Sequence, residues 1–282
     1  MHNRISTISF PGLGIGEFQV NSVAFKIFDI EIAWYALIIA LGMICAVAYV
    51  IFRAKSIGIS FDHIIDFAIF VIPFGVIGAR LYYVIFESSN IRNFGDIFDI
   101  RSGGLAIYGG IIAGALTVYL VCRYKKINFP AFGDCVVPGV ILAQAIGRWG
   151  NFMNGEAYGY ETDIFCRMGL SHNGVITHYY HPAFLYESLW NILGFIAINI
   201  FFKHKKYDGE IILLVFGWYG LGRMWIEGLR TDSLYIGIFR VSQLLAGAIF
   251  LACLGLLIYF KIKPPKKELF YYTPPKKAEK RK

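Results

Sequence analysis

Residues 30–52 read IEIAWYALIIALGMICAVAYVIF and residues 241–260 read VSQLLAGAIFLACLGLLIYF. Each is an apolar run of the length that crosses a hydrocarbon core of ~30 Å at ~1.5 Å per helical residue. Neither alternates with period two, so neither reads as the strand of a membrane barrel. Working outward, similar runs at 63–86, 103–122, 134–153, 184–202 and 210–229 predict five more helices. The expected fold is therefore an all-α membrane protein, a polytopic bundle of seven transmembrane helices. Across the 282 residues, 57% are hydrophobic and only 16% charged, which excludes a soluble enzyme, a disordered chain and a disulfide-rich scaffold. Residues 1–260 are expected to form one membrane domain with an exterior loop at about 154–183, and residues 261–282 a basic tail.

Charge sets the expected orientation. Arg53 and Lys55, then Arg123, Lys125 and Lys126, then Lys203, Lys205 and Lys206, then the tail, place most loop cations on one side, which the positive-inside rule assigns to the cytoplasm. The other side holds Arg4, Lys26, Arg92, Arg101, Arg167, Arg230 and Arg240. Seven spans then put the N-terminus outside and the C-terminus in the cytoplasm. The net charge of +8 does not signal nucleic acid, because nine of the 27 basic residues lie in the Pro-broken tail beside the last span, where anionic lipid is the natural partner. The five cysteines have no CxxC spacing, so neither a disulfide framework nor a metal site is implied, and no cofactor is expected. The first twenty residues show a Pro11-Gly12 turn with Gly14 and Gly16, and no cleavable signal is expected there. No internal repeat with matching motifs is evident, which weakens an inverted-repeat transporter.

Three of the helices carry the chemistry: the second holds Asp66, Pro73 and Arg80, the fourth Asp134, Gln144 and Arg148, and the sixth Arg223 and Glu227. The densest segment is GRWGNFMNGEAYG, residues 147–159, in which Arg148 and Asn151 share a helix face and Asn154, Glu156 and Gly159 follow. A guanidinium at membrane depth costs several kcal/mol unless it meets an anion, and its planar fork suits a phosphate. Arg148 therefore either holds an anionic lipid head group or pairs internally with Asp134 or Glu156. In residues 223–230, Arg223, Glu227 and Arg230 stand on one face. Arg223 and Glu227 either neutralise each other or join a cationic cleft that stabilises a departing phosphate. Gly103-Gly104 and Gly109-Gly110 flank Tyr108; they either thin the helix so that the Tyr108 hydroxyl reaches a cavity, or serve tight helix packing. Trp34-Tyr35 reads by default as an aromatic belt, and His181 and Glu187, each taken alone, as structural.

Together these segments resemble the prolipoprotein diacylglyceryl transferase family. Residues 147–159 resemble its signature, and Trp34-Tyr35, Gly78-Ala79-Arg80, Gly103-Gly104, His181-Pro-x-x-Leu-Tyr-Glu187 and Arg223-x-x-x-Glu227-x-x-Arg230 recur in the family's order over nearly the whole chain apart from the tail. The resemblance implies an enzyme of the bacterial inner membrane, with its active site toward the extracytoplasmic side. It would take the diacylglyceryl group of phosphatidylglycerol and attach it to the lipobox cysteine thiol of a prolipoprotein, with glycerol 1-phosphate leaving. It further implies catalytic roles for Arg148, Arg223, Tyr108 and Glu156, and substrate contacts for Tyr35, Arg80, Gly104, Asn151, Asn154, Gly159, Glu227 and Arg230. Some members carry a histidine, proposed as a base, where this chain has Tyr108, so an imidazole is unavailable at that position. Two rival classes are a seven-helix receptor, which leaves the arginine motifs unexplained, and a lipid flippase, which would share the cationic cleft. A light-driven pump is disfavoured because residues 241–260 contain no lysine for a Schiff base.

Overall fold

The computed structural model describes residues 5–28, 30–87, 93–99, 103–231, 235–237 and 239–265. The basic tail from residue 266 onward, together with Arg4, Arg92 and Arg101 of the charge pattern, lies outside the described residues. Seven α-helices occur among the described residues: α1 (Trp34–Ala54), α2 (Phe61–Phe86), α3 (Ile107–Lys125), α4 (Phe129–Asn154), α5 (Ala183–Phe201), α6 (Glu210–Ile226) and α7 (Val241–Ile262). All but α6 are long and apolar enough to cross a membrane, and α6 spans 17 residues before a 3-10 turn at Glu227–Leu229. Leu244, Leu251 and Ile258 of α7, and Phe70, Ile77 and Leu81 of α2, are exposed, an apolar exterior suited to lipid chains and costly in water. The protein is a polytopic membrane protein.

The all-α expectation needs correction, because strands flank the helices. The first four are β1 (Ile5–Phe10), β2 (Ile15–Asn21), β3 (Val23–Ile27) and β4 (Ile30–Ala33), and four more lie between later helices: β5 (Met168–Ser171), β6 (Tyr179–Tyr180), β7 (Tyr235–Ile236) and β8 (Phe239–Arg240). The pairing of β3 with β4 is why the first helix starts at Trp34 and not at residue 30. The third helix starts at Ile107 and not at residue 103, because Gly103 and Gly104 have φ of +94° and +71°, outside the right-handed helical region. The fourth starts earlier than expected, at Phe129.

The described residues form two compact units, one within 5–49 and 136–265, the other within 50–135. In the first, an antiparallel sheet of order β2-β1-β5-β6 joins the N-terminal segment to the loop between α4 and α5, with Thr7 opposite Ser171 and Ile8 opposite Leu170. Ile8, Phe10, Val20, Met168 and Leu170 form its core, and this packs on Phe152 and Met153 at the end of α4 and on Phe184 and Leu185 at the start of α5. The sheet therefore braces the two helix ends nearest Arg148 and Glu187. In the second unit, α2 and α3 approach closely enough that a Cβ on Gly109 would collide with Gly78 and Tyr82, and one on Gly78 with Ala113 and Gly109. Helix packing, one of the two readings of the Gly109-Gly110 pair, is what the structure contains.

Candidate active site

Glu187 lies in the second turn of α5, 5% exposed, and is the anion on which three arginines converge. One carboxylate oxygen, Oε1, accepts from Arg223 Nη1 at 3.1 Å and from Arg230 Nη1 at 3.1 Å. The other, Oε2, pairs with Arg148 Nη2 of α4. Arg223 Nη2 also pairs with Glu227 Oε2 at 2.6 Å, one helical turn on. Arg223 and Glu227 do pair, and the arginine motifs of two helices converge on one carboxylate. The internal partner of Arg148 is Glu187, not Asp134 or Glu156, and the same carboxylate serves Arg230.

The charge balance of this cluster decides what it can do. Three guanidiniums against two carboxylates leave one formal positive charge. Each guanidinium carries five N–H donors in a fixed fork. Arg148 directs contacts to Glu187 and, at 3.4 Å, to Asn151 Oδ1, and Arg223 to Glu187 and Glu227, so donors remain on both. Arg148 and Arg223 each keep 17% side-chain exposure, whereas Glu187 and Glu227 are at 5% and 2%. The cations face outward from buried anions. A cluster with one excess positive charge and guanidinium donors to spare has the chemistry to attract an anion.

The signature turn supports Arg148 from the far side. Glu156 Oε1 accepts from Asn151 Nδ2 at 3.0 Å and from Asn154 Nδ2 at 3.1 Å, fixing the amide whose oxygen faces Arg148. Glu156 therefore orients the guanidinium through Asn151 and makes no direct pair with it. Tyr35 of α1 lies against Gly150, so close that a Cβ there would stand 2.8 Å from its ring. Gly159 acts through its backbone: its N–H donates to His181 O at 2.9 Å, it bridges Arg230, and a Cβ on it would lie 2.6 Å from Leu229 O. Tyr160 N–H donates to Leu229 O at 2.8 Å, so the loop between α4 and α5 is strapped to the residues that carry Glu227 and Arg230. Arg240 adds to the strap, reaching Tyr160 Oη at 2.9 Å and the carbonyl of Glu227. His181 Nδ1 lies 3.2 Å from the Tyr186 hydroxyl, and burial holds the imidazole below the usual histidine range.

The other three expected residues belong to the second unit. Arg80 donates from Nε to Ile97 O at 3.0 Å, from Nη1 to Gly103 O and Gly104 O at 2.8 Å each, and from Nη2 to Asp96 O. Its guanidinium also stands over the Tyr83 ring, 5.2 Å from the centroid. Gly104 is where Arg80 and Tyr83 come too near the backbone for a Cβ. Tyr108, at the start of α3, is 47% exposed with its ring 6.4 Å from that of Tyr82.

Sequence reasoning underrated Glu187 and passed over Trp190, Asn191 and Tyr219, which line a small cleft beside Glu187 and Arg223. The missed signal for Glu187 was arithmetic: three arginines at one depth outnumber Glu227 and Glu156 and called for a further carboxylate.

A helical membrane protein with an arginine cluster built around a shared, buried carboxylate is the class these features define. The sequence model of the prolipoprotein diacylglyceryl transferase family matches residues 22–259. The phosphatidylglycerol–prolipoprotein diacylglyceryl transferase 1 of Clostridium perfringens is 46% identical over 237 residues, 80% of this chain and 89% of its own length. The corresponding transferase of Clostridium kluyveri is 44% identical over 251 residues, covering 86% and 97%, and that of Listeria innocua 44% over 263 residues, covering 90% and 95%. The chain belongs to the prolipoprotein diacylglyceryl transferase family.

Proposed function

We propose that this protein transfers the diacylglyceryl group of phosphatidylglycerol to the lipobox cysteine thiol of bacterial prolipoproteins, the first step of lipoprotein maturation. It is a transferase, and the observation that carries the mechanism is the Glu187-centred cluster with its one excess positive charge. The substrate cysteine sulfur attacks the glycerol carbon that bears the phosphate, a C–S bond forms as the C–O bond breaks, and glycerol 1-phosphate departs with the bonding pair. The thiol proton leaves with the released glycerol phosphate or to water, so the overall step yields a neutral thioether and balances. Arg148 and Arg223 hold the phosphate and meet its growing charge, Asn151 accepts from Arg148 and so orients it, and Glu156 accepts from Asn151 and Asn154 to fix that amide. Glu187 and Glu227 hold the three guanidiniums together against their mutual repulsion, and Arg230 completes that balance. Tyr35 packs beside the lipid site. A phenol is a poor resting base, so the thiol proton is not assigned to Tyr108. A free thiol of pKa ~8.5 needs only modest activation near a guanidinium.

The protein sits in the bacterial inner membrane as seven crossings with the N-terminus outside, the C-terminus in the cytoplasm and the site toward the extracytoplasmic face. The basic residues between α1 and α2, α3 and α4, and α5 and α6 support that orientation. The deciding experiment incubates the purified protein with phosphatidylglycerol and a lipobox peptide and seeks the thioether-linked lipid by mass spectrometry. The expected product appears with the cysteine peptide and is absent with its Cys→Ser control. Lipid movement across vesicles without release of glycerol phosphate would instead make the protein a transporter.

A further inference from the structure

Helices α5 and α6 each contain a tryptophan followed four residues later by glycine, Trp190 with Gly194 and Trp218 with Gly222. The two pairs meet reciprocally. Trp190 Nε1 donates to Trp218 O at 3.0 Å, and Trp218 Nε1 donates to Trp190 O at 3.0 Å. Their rings stack with centroids 4.4 Å apart and planes 20° apart. A Cβ on Gly222 would stand 2.8 Å from Trp190 Cε2 and nearer still to its Nε1, and a Cβ on Gly194 would meet Trp218 in the same way. The glycine position has a reason. In an α-helix the carbonyl of residue i already serves the N–H of residue i+4, so an outside donor can share that carbonyl only by passing over residue i+4. Glycine leaves the passage open, and no other residue does.

We infer that this reciprocal tryptophan–glycine clamp fixes the register of α5 against α6, and that Trp190, Trp218, Gly194 and Gly222 are positioning residues for the arginine cluster. Glu187 lies one turn before Trp190, and Arg223 directly follows Gly222. A slip of one residue shifts a side chain ~1.5 Å along its helix and turns it ~100°. Either change breaks the 3.1 Å contact from Arg223 to Glu187. Hydrocarbon offers an indole N–H no substitute partner, so the clamp has two discrete states, closed or broken. Trp190 also lines the cleft beside Glu187 and Arg223, so the clamp touches the wall of the site it sets.

The turnover half of this inference rests on the transferase reading; the structural half does not. The test uses the full chain in phosphatidylglycerol vesicles with a lipobox peptide, comparing Gly222→Ala, Trp190→Phe, Trp218→Phe and two double variants. Displacement of this size at a distance from chemistry costs up to ~10²-fold in rate, so Gly222→Ala is expected to lower kcat at least ~10-fold, with KM for lipid changing less. Trp190→Phe/Gly222→Ala is expected to recover kcat to the level of Trp190→Phe, because the shorter ring clears the added methyl. Trp190→Phe/Trp218→Phe is expected to lose no more than the worse single variant, in Tm as in kcat, since both bonds close one clamp. Unchanged kcat per folded molecule in Gly222→Ala, absence of rescue, or additive losses would each overturn the clamp. Should Gly222→Ala fail to fold, the phenylalanine pair and its Tm values carry the decision alone. Wild-type protein that yields no thioether would defeat the transferase reading while leaving the Tm comparison standing.

Discussion

The two arginine sites of this molecule solve one problem in opposite ways. Arg80 is surrounded by backbone carbonyls, which accept its hydrogen bonds and bring no compensating charge. Arg148, Arg223 and Arg230 share side-chain carboxylates that neutralise most of their charge, and on Arg148 and Arg223 these occupy only part of the donors. The carbonyl cradle uses a guanidinium as a staple that fixes the backbone at Asp96, Ile97, Gly103 and Gly104. The carboxylate cluster keeps guanidiniums close together at tolerable repulsion and leaves them able to bind something else. An arginine in a membrane helix thus declares its role by what it faces, and sequence position alone does not separate the two.

The strongest way to break this comparison is Arg148→Ala. It should cost ~10²–10³ in transfer rate while the protein still inserts and folds, since Arg223 and Arg230 then balance Glu187 and Glu227 one for one. Near-normal labelling of a lipobox peptide by that variant would remove Arg148 from the mechanism. Glu187→Gln should act in the reverse sense, mainly on stability: breaking a buried pair typically costs ~3–5 kcal/mol, read as a large fall in Tm, because three cations then face one anion. Arg80→Lys sharpens the other side. An ammonium has three donors and cannot span the four carbonyls, and each buried group left unsatisfied costs ~1–3 kcal/mol, so Tm should fall with turnover per folded molecule largely retained. A collapse of turnover at unchanged Tm would instead make Arg80 a lipid ligand.

Two smaller effects follow. Tyr108→Phe should impair turnover only partly, and complete loss with unchanged lipid binding would mean that the hydroxyl transfers a proton. His181, depressed by burial below the usual value of ~6.5, takes up a proton less readily in the folded chain than in the unfolded one as pH falls. Its contribution to stability is therefore present above that value and lost below it. A His181→Asn variant should show a shallower fall in Tm from pH 7 to pH 5.

The helices were legible because an uninterrupted apolar run of about twenty residues suits a bilayer crossing and little else, and the arginine motifs because charge at that depth demands a partner. The strands were not. Residues 5–10, ISTISF, are short and half polar, and Ser6, Thr7 and Ser9 are buried only because a strand some 160 residues later completes the sheet. Glu187 was readable as a helix-start acid, and no lysine or arginine lies within ten residues of it, so nothing local marked it as the cluster's centre. The tryptophan–glycine spacing was visible on each helix, but its meaning exists only when two helices face each other.

The pairing of β1 with β5 has a topological corollary. Strands that share a ladder cannot lie on opposite sides of a bilayer, so the chain between them must traverse it an even number of times, as α1 to α4 would. The backbone bonds joining Gly159 and Tyr160 to the residues after α6 impose the same parity on α5 and α6. Short as it is, α6 has to cross if α5 does, a bookkeeping of sides that owes nothing to where the lysines fall.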